Sequence, residues 1–203
     1  FLPPLGMLTG ARLGELTFLK GEDVRMYEGH LCISLLDEEG VEAREEGRPL
    51  KTDESRRIIV LHDIIMRTGF PDWVAERRPD DWIWPRLHQR AAGAAIVRPA
   101  GAASKRQIRS MQAAGIHQPY TDVFHSLRHG AKDWHRDATV ADRTSRLQIG
   151  HSFRDVDDSY GSKRLRQKEI DDLASLALPQ GVDFGPYLIR EEPLKDLPRK
   201  RWR

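Results

Sequence analysis

Arg48-Pro-Leu-Lys51-Thr-Asp-Glu-Ser55-Arg-Arg-Ile-Ile-Val-Leu61 is the stretch that decides the fold class. Two strand-competent runs, Arg48–Lys51 and Arg56–Leu61, flank the polar tip Thr52–Ser55, which is the pattern of a β-hairpin. Upstream, Asp23–Tyr27 and Leu31–Leu36 form a second strand pair around Glu28-Gly29-His30. Between the two pairs, Asp37–Gly47 is acidic and too poor in apolar residues to pack, so it reads as a surface loop. These segments predict one antiparallel sheet of about three strands.

Outside the sheet the apolar spacing is helical. Leu2–Leu8 is followed by a short helix over Gly10–Lys20, with Thr9 as its N-cap candidate. Further helices are expected over Asp63–Arg77, Ser104–Ala114 with Ser104 as cap, Thr121–Asp137, Val140–Ile149, Phe153–Gly161 and Lys163–Leu176. Trp82-Ile83-Trp84-Pro85 reads as a short extended stretch packed in the core. The fold class is therefore α+β, mainly α-helical with a small three-stranded antiparallel sheet. Residues 1–178 make one domain, and the proline- and glycine-broken segment 179–203 is a C-terminal tail.

The 203 residues suffice for a substantial core, and 39% hydrophobic with 32% charged residues is the balance of a globular protein. Apolar runs are far shorter than the ~20 residues a membrane-spanning helix needs. Cys32 alone excludes an internal disulfide framework or a multi-cysteine metal cluster. No charged-then-apolar leader is visible, and the start at Phe1 reads as that of a fragment. The net charge of +2 hides a segregation: residues 1–97 carry −4, residues 98–168 carry +7 and residues 169–203 carry −1. A basic middle third suits a polyanionic partner, although a solvated helical face explains it equally well.

Four places combine reactive side chains with turn or cap signals: Thr9-Gly-Ala-Arg12-Leu-Gly-Glu15, Leu50-Lys51-Thr52, His125-Ser-Leu-Arg128-His129, and Leu147–His151 followed by Tyr160. Each has an ordinary explanation when taken singly. Arg12 and Glu15 could be an exposed helix pair, Lys51 a solvated hairpin tip, His125 a structural histidine and Tyr160 half-buried packing. His125 and Arg128 at i, i+3 share a helix face. His129 points elsewhere on that turn and reads as structural.

In this order and spacing the four boxes resemble those of the tyrosine recombinase (phage integrase) family, and the resemblance covers Leu2 to about Leu176. Thr9–Glu15 matches the T-G-x-R-x-x-E box, Lys51 the hairpin lysine and His125–Arg128 the H-x-x-R box. Leu147-Gln-Ile-Gly-His151, with Tyr160 nine residues after the histidine, matches the L-x-x-G-H box and its tyrosine. The resemblance implies the catalytic domain of the DNA breaking–rejoining enzymes, with the upstream core-binding domain missing from this chain. It implies Tyr160 as nucleophile, Arg12, Arg128 and His151 as phosphate and transition-state donors, Lys51 as general acid, His125 as general base or acid, and Glu15 as a brace for the arginines. Lys20 and Arg57 are fallback donors away from the motif position.

The implied partner is double-stranded DNA, bound by a homotetramer on synapsed DNA and by a monomer without it, in a bacterial, nucleoid-associated, cytoplasmic setting. Integration of a mobile element is the default role. No metal, ATP or other cofactor is implied. Candidate DNA contacts are Lys105, Arg106, Arg109, Arg143, Arg146, Lys163 and Arg164. Leu173, Leu176 and Leu178 form an apolar stripe suited either to a neighbouring protomer or to packing within the chain.

Three rivals stand beside this reading. One is a recombinase-like DNA-binding module without activity, and another is a type IB topoisomerase-like enzyme. The third is a zinc hydrolase using His125, His129 and either His135 or His151, which lacks a glutamate in the general-base slot and places Arg128 between its ligands.

Overall fold

The computed structural model describes residues 1–36, 55–89, 98–121, 123–153 and 163–198. The expected strand Arg48–Lys51, the loop Asp37–Gly47, most of the hairpin tip 52–55 and all but the first residue of the helix Phe153–Gly161 lie outside the described residues.

The sheet is antiparallel in the order β1 (Val24–Tyr27), β2 (His30–Ser34), β3 (Ile58–Val60). Glu28 and Gly29 both have positive φ, 49° and 83°, which is what a two-residue hairpin of the primed type requires. Cys32 faces Arg25 on one side and Val60 on the other. Side chains alternate as a strand dictates. Leu31, Ile33, Ile59 and Leu61 enter the main core, while Cys32 and Val60 face the opposite way into a smaller cluster.

Helices cover both faces. The main core joins the sheet to α1 (Leu2–Thr9), α2 (Leu13–Thr17), α3 (Phe70–Ala75) and α6 (Phe124–Asp137). Gly6 lets α1 lie against α6, since a β-carbon there would meet Phe124 Cζ at 2.4 Å. Among the described residues the remaining helices are α4 (Pro85–His88), α5 (Pro99–Ala113), α7 (Asp142–Ile149) and α8 (Gln167–Ala174). On the second face of the sheet, Ile170, Leu173 and Ala174 of α8 cover Cys32 and Val60. Leu176 and Leu178 pack against the main core. The apolar stripe is thus used within the chain.

Several boundaries differ from the sequence reading, each for a local reason. Thr9 ends α1 instead of capping α2: its hydroxyl donates to Leu5 O at 2.6 Å and accepts from Ala11 N at 3.1 Å. The N-cap of α2 is Arg12, whose N–H donates to Glu15 Oε2 at 2.7 Å. Asp23 belongs to a 3₁₀ turn at Gly21–Asp23, where its carboxylate accepts from Lys20 N. The span Asp63–Arg77 divides into a 3₁₀ turn (Asp63–Arg67) and α3. Pro71 has no N–H, so the helix restarts where that donor is not needed. For the same reason α5 begins at Pro99, which leaves Ser104 inside the helix. Residues 179–198 are more than a tail: Phe184 is buried, Leu194 and Leu197 pack on the main core, and Arg190 pairs with Asp72.

Candidate functional site

The site is built where the α1–α2 turn, α6 and the end of α7 meet. Gly10 closes α1 in the left-handed conformation (φ 64°), which carries the chain directly to Arg12 at the head of α2. Glu15 reaches back to Arg12 twice, accepting from its backbone N and, at 2.8 Å, from its Nη1. That guanidinium also donates to Ser55 Oγ at 3.2 Å and to Gly150 O at 3.3 Å.

Arg128, on the inner face of α6, is 4% exposed. Its Nη1 donates to Gly10 O and Ile149 O at 2.6 Å each, and its Nη2 donates to Gly150 O at 3.3 Å. Two arginines from distant parts of the chain therefore end on one carbonyl oxygen. Burial, then the charges of Arg12 and Arg57, pull Arg128 down to about 10, which leaves it cationic at neutral pH.

Gly150 is itself left-handed (φ 76°) and ends α7 with its N–H on Arg146 O. His151 follows at once. Burial pushes its imidazole down to about 4, helped by the charges of Arg128, Lys132, Arg12 and Arg146. His151 is thus neutral at neutral pH, and a ring N–H can still donate. His125 is likewise held below the ordinary histidine value by burial, then by His129, Arg128 and Arg12. His129 was expected to point away. Instead its ring stands edge-on to that of His125, with centroids 4.8 Å apart, because i and i+4 are neighbours on a helix. An open groove of about 250 Å³ runs beside Arg12 and His125, walled by Leu13, Ser104, Val123 and Phe124.

The structure thus places Arg12, Glu15, Arg128 and the Gly150–His151 turn together, with His125 beside them. Lys51 and Tyr160 lie outside the described residues. Lys20 sits elsewhere, its Nζ over the Trp82 ring at 5.1 Å. Arg57 lies inside the site but is 5% exposed and bonded to Glu15, so it does not serve as a substitute donor. His135 is buried against Ser145 Oγ at 2.9 Å, apart from the His125–His129 pair. Among the described residues no group of three or more His, Cys, Asp or Glu converges as a metal site.

Of the outer basic residues, Lys105, Arg106 and Arg109 project from α5, which contains no acidic residue. Lys163 and Arg164 are exposed as well. Arg143 and Arg146 have internal roles: Arg143 binds Glu169 of α8, and Arg146 binds Asp142 and Ser152 O. Two participants escaped the sequence reading. Lys132 acts on His151 from one turn beyond Arg128. Gln148 exchanges two hydrogen bonds with Val60, at 3.0 and 2.8 Å, and so docks α7 on the edge of β3.

No protein-family model matches the chain, and neither a curated protein nor a solved structure matches it. No helix among the described residues is long and apolar enough to cross a membrane.

Proposed function

We propose that this chain is the catalytic domain of a site-specific DNA recombinase that cuts and rejoins strands through a 3′-phosphotyrosine bond. The observation that carries the reading is the convergence of Arg12 and Arg128 on the carbonyl oxygen immediately before His151. Two guanidiniums held at fixed angles suit the non-bridging oxygens of a phosphodiester, because each is planar, permanently charged and able to grip two oxygens. Glu15 offsets part of their mutual repulsion, and its buried carboxyl stays ionised. Burial raises its pKa, but Arg57 and then Arg12 more than reverse that.

In the proposed step the Tyr160 oxygen attacks phosphorus as its proton passes to His125, whose imidazole is neutral and free to accept it. The bond from phosphorus to the 5′-oxygen breaks, and that oxygen takes a proton from Lys51. One phosphoester replaces another, so a second 5′-hydroxyl can reverse the step without ATP. Arg12, Arg128 and an N–H of His151 meet the charge that develops on the non-bridging oxygens. Lys105, Arg106 and Arg109 would extend the positive surface along the duplex backbone.

The test is covalent trapping. The purified chain is incubated with a library of nicked duplexes with randomised flanks, and protein–DNA adducts are isolated under denaturing conditions. An adduct with the unsubstituted protein and none with Tyr160→Phe is the expected result. Binding with no adduct would favour an inactive DNA-binding module. Relaxation of supercoiled plasmid without exchange of strands would favour a type IB topoisomerase-like enzyme.

A further inference from the structure

Arg57 reaches the centre of the site with its side chain buried. Its Nη1 and Nη2 donate to Glu15 Oε1 and Oε2, each at 3.1 Å, its Nε donates to Gln148 O at 2.9 Å, and Nη1 also donates to Ser55 O at 3.1 Å. Gly150 leaves room for the guanidinium of Arg57, since a β-carbon there would come within 2.6 Å of Cζ. One side chain thus touches the residue that holds Arg12, the loop that accepts from Arg12, and the turn that presents His151.

We infer that Arg57 is the positioning residue of the proposed cleavage site, fixing Glu15 against Arg12 and seating the Gly150–His151 turn so that both phosphate-facing groups are set by one buried guanidinium. The assignment rests on the reading of the site given above. Stability alone does not explain such a group. A buried ion pair can often be replaced by apolar side chains of similar volume at no loss, because desolvation cancels much of the attraction.

The charge balance points the same way. Glu15 meets two guanidiniums, and the more buried of them, Arg57, takes both its oxygens. Arg12 therefore keeps an unspent positive charge while 28% of its side chain stays exposed to an incoming anion. Without Arg57, Glu15 would claim Arg12 entirely and turn it from the phosphate. The seating of the turn is equally direct, because Gln148 clamps α7 to Val60 and Arg57 fills the gap beneath Gly150.

The experiment compares Arg57→Met and Arg57→Lys with the unsubstituted protein on a nicked duplex recovered from the trapping selection. Readouts are duplex affinity by fluorescence anisotropy, the single-turnover adduct rate at saturating duplex, the pH dependence of that rate, and thermal melting. The expected result is affinity within threefold for both folded variants and an adduct rate lowered at least tenfold. In Arg57→Met the acid limb should also move to higher pH, as buried Glu15 loses the stronger of the two cations that keep it ionised. A rate within threefold of the unsubstituted protein with an unmoved acid limb would overturn the assignment. So would failure of Arg57→Lys to fold, which would make Arg57 a folding residue only. If the unsubstituted protein yields no adduct, the recombinase reading falls and the assignment falls with it; an adduct with no penalty in the variants overturns the assignment alone.

Discussion

Gly150 lies so close to the Arg57 guanidinium that a methyl group at position 150 would be 2.6 Å from both Cζ and Nη1 of Arg57. Gly150 also has φ 76°, a conformation that side-chain-bearing residues adopt at a cost. Gly150→Ala therefore carries two penalties, about 1–2 kcal/mol for the backbone and a displacement of Arg57 besides. Chemical denaturation should show a loss above about 2 kcal/mol with an unchanged m-value. A loss below about 0.5 kcal/mol would mean that the turn is not seated as described.

Arg12 and Arg128 look equivalent in sequence but differ in what they hold. Arg128→Ala strands the carbonyls of Gly10 and Ile149 in a buried setting and leaves Gly150 O to Arg12 alone. At ~1–3 kcal/mol for each buried group left unpaired, much of the stability of a domain is at stake. Arg12→Ala removes a partly exposed side chain and leaves Glu15 its pair with Arg57, so its melting temperature should fall by only a few degrees. Its adduct rate should nevertheless drop about 100- to 1,000-fold, the usual cost of one transition-state donor. Melting curves in which Arg12→Ala is the less stable of the two would contradict this division of roles.

How much of this was legible beforehand follows from the kind of signal each feature leaves. The hairpin at Glu28-Gly29 and the helices α6 and α7 carry strong periodicity or turn chemistry, and they sit within a few residues of their expected places. The cap of α2 was misplaced because a threonine is the usual cap, whereas here Thr9 bonds inside α1 and the long carboxylate of Glu15 serves Arg12 instead. Arg57 was overlooked as a partner although its pattern was visible. Residues 57, 59 and 61 share one strand face, and Ile59 and Leu61 are core residues, so an arginine at 57 had to be buried with a counter-ion. Gln148 left no such trace, since its amide matters only once α7 lies beside β3.

His151 offers a reporter of anion binding that does not require catalysis. Its imidazole is pushed down to about 4 because burial and neighbouring cations oppose protonation. An anion between Arg12 and Arg128 would offset those cations and add an acceptor, so orthovanadate or inorganic phosphate should raise the His151 value toward the ordinary histidine range near 6.5. Imidazole NMR shifts, assigned with His151→Gln, would follow the titration with and without the anion. Identical titrations in saturating anion would mean that no oxyanion enters between the two arginines.

Two other histidines should give stability opposite slopes in different pH windows. His135 is buried, which drives its imidazole down to about 4, so it contributes stability above the unfolded value near 6.5 and loses it as pH falls toward 4. The full effect is on the order of 3 kcal/mol, and His135→Gln should flatten the acid limb of the stability profile. His30 behaves in reverse. Burial alone would lower its value, but its ring nitrogens meet Asp63 at 3.0 Å and Asp171 at 3.1 Å, and the two carboxylates raise it. Gln167 donates to the same Asp171 oxygen and to Glu28 O, which orients that carboxylate. Only the doubly protonated ring donates to both aspartates, so this link between β2, the 63–67 turn and α8 is fully present below about pH 6.5 and lost as pH rises through the raised value. Both carboxylates are about half exposed, so solvent screening holds the gain to about 1 kcal/mol or less. The stability gap between the unsubstituted protein and His30→Gln should therefore close as pH rises above the ordinary histidine value near 6.5. A gap that instead widens with rising pH would show that His30 packs as a neutral ring and does not tie α8 to the sheet through its charge.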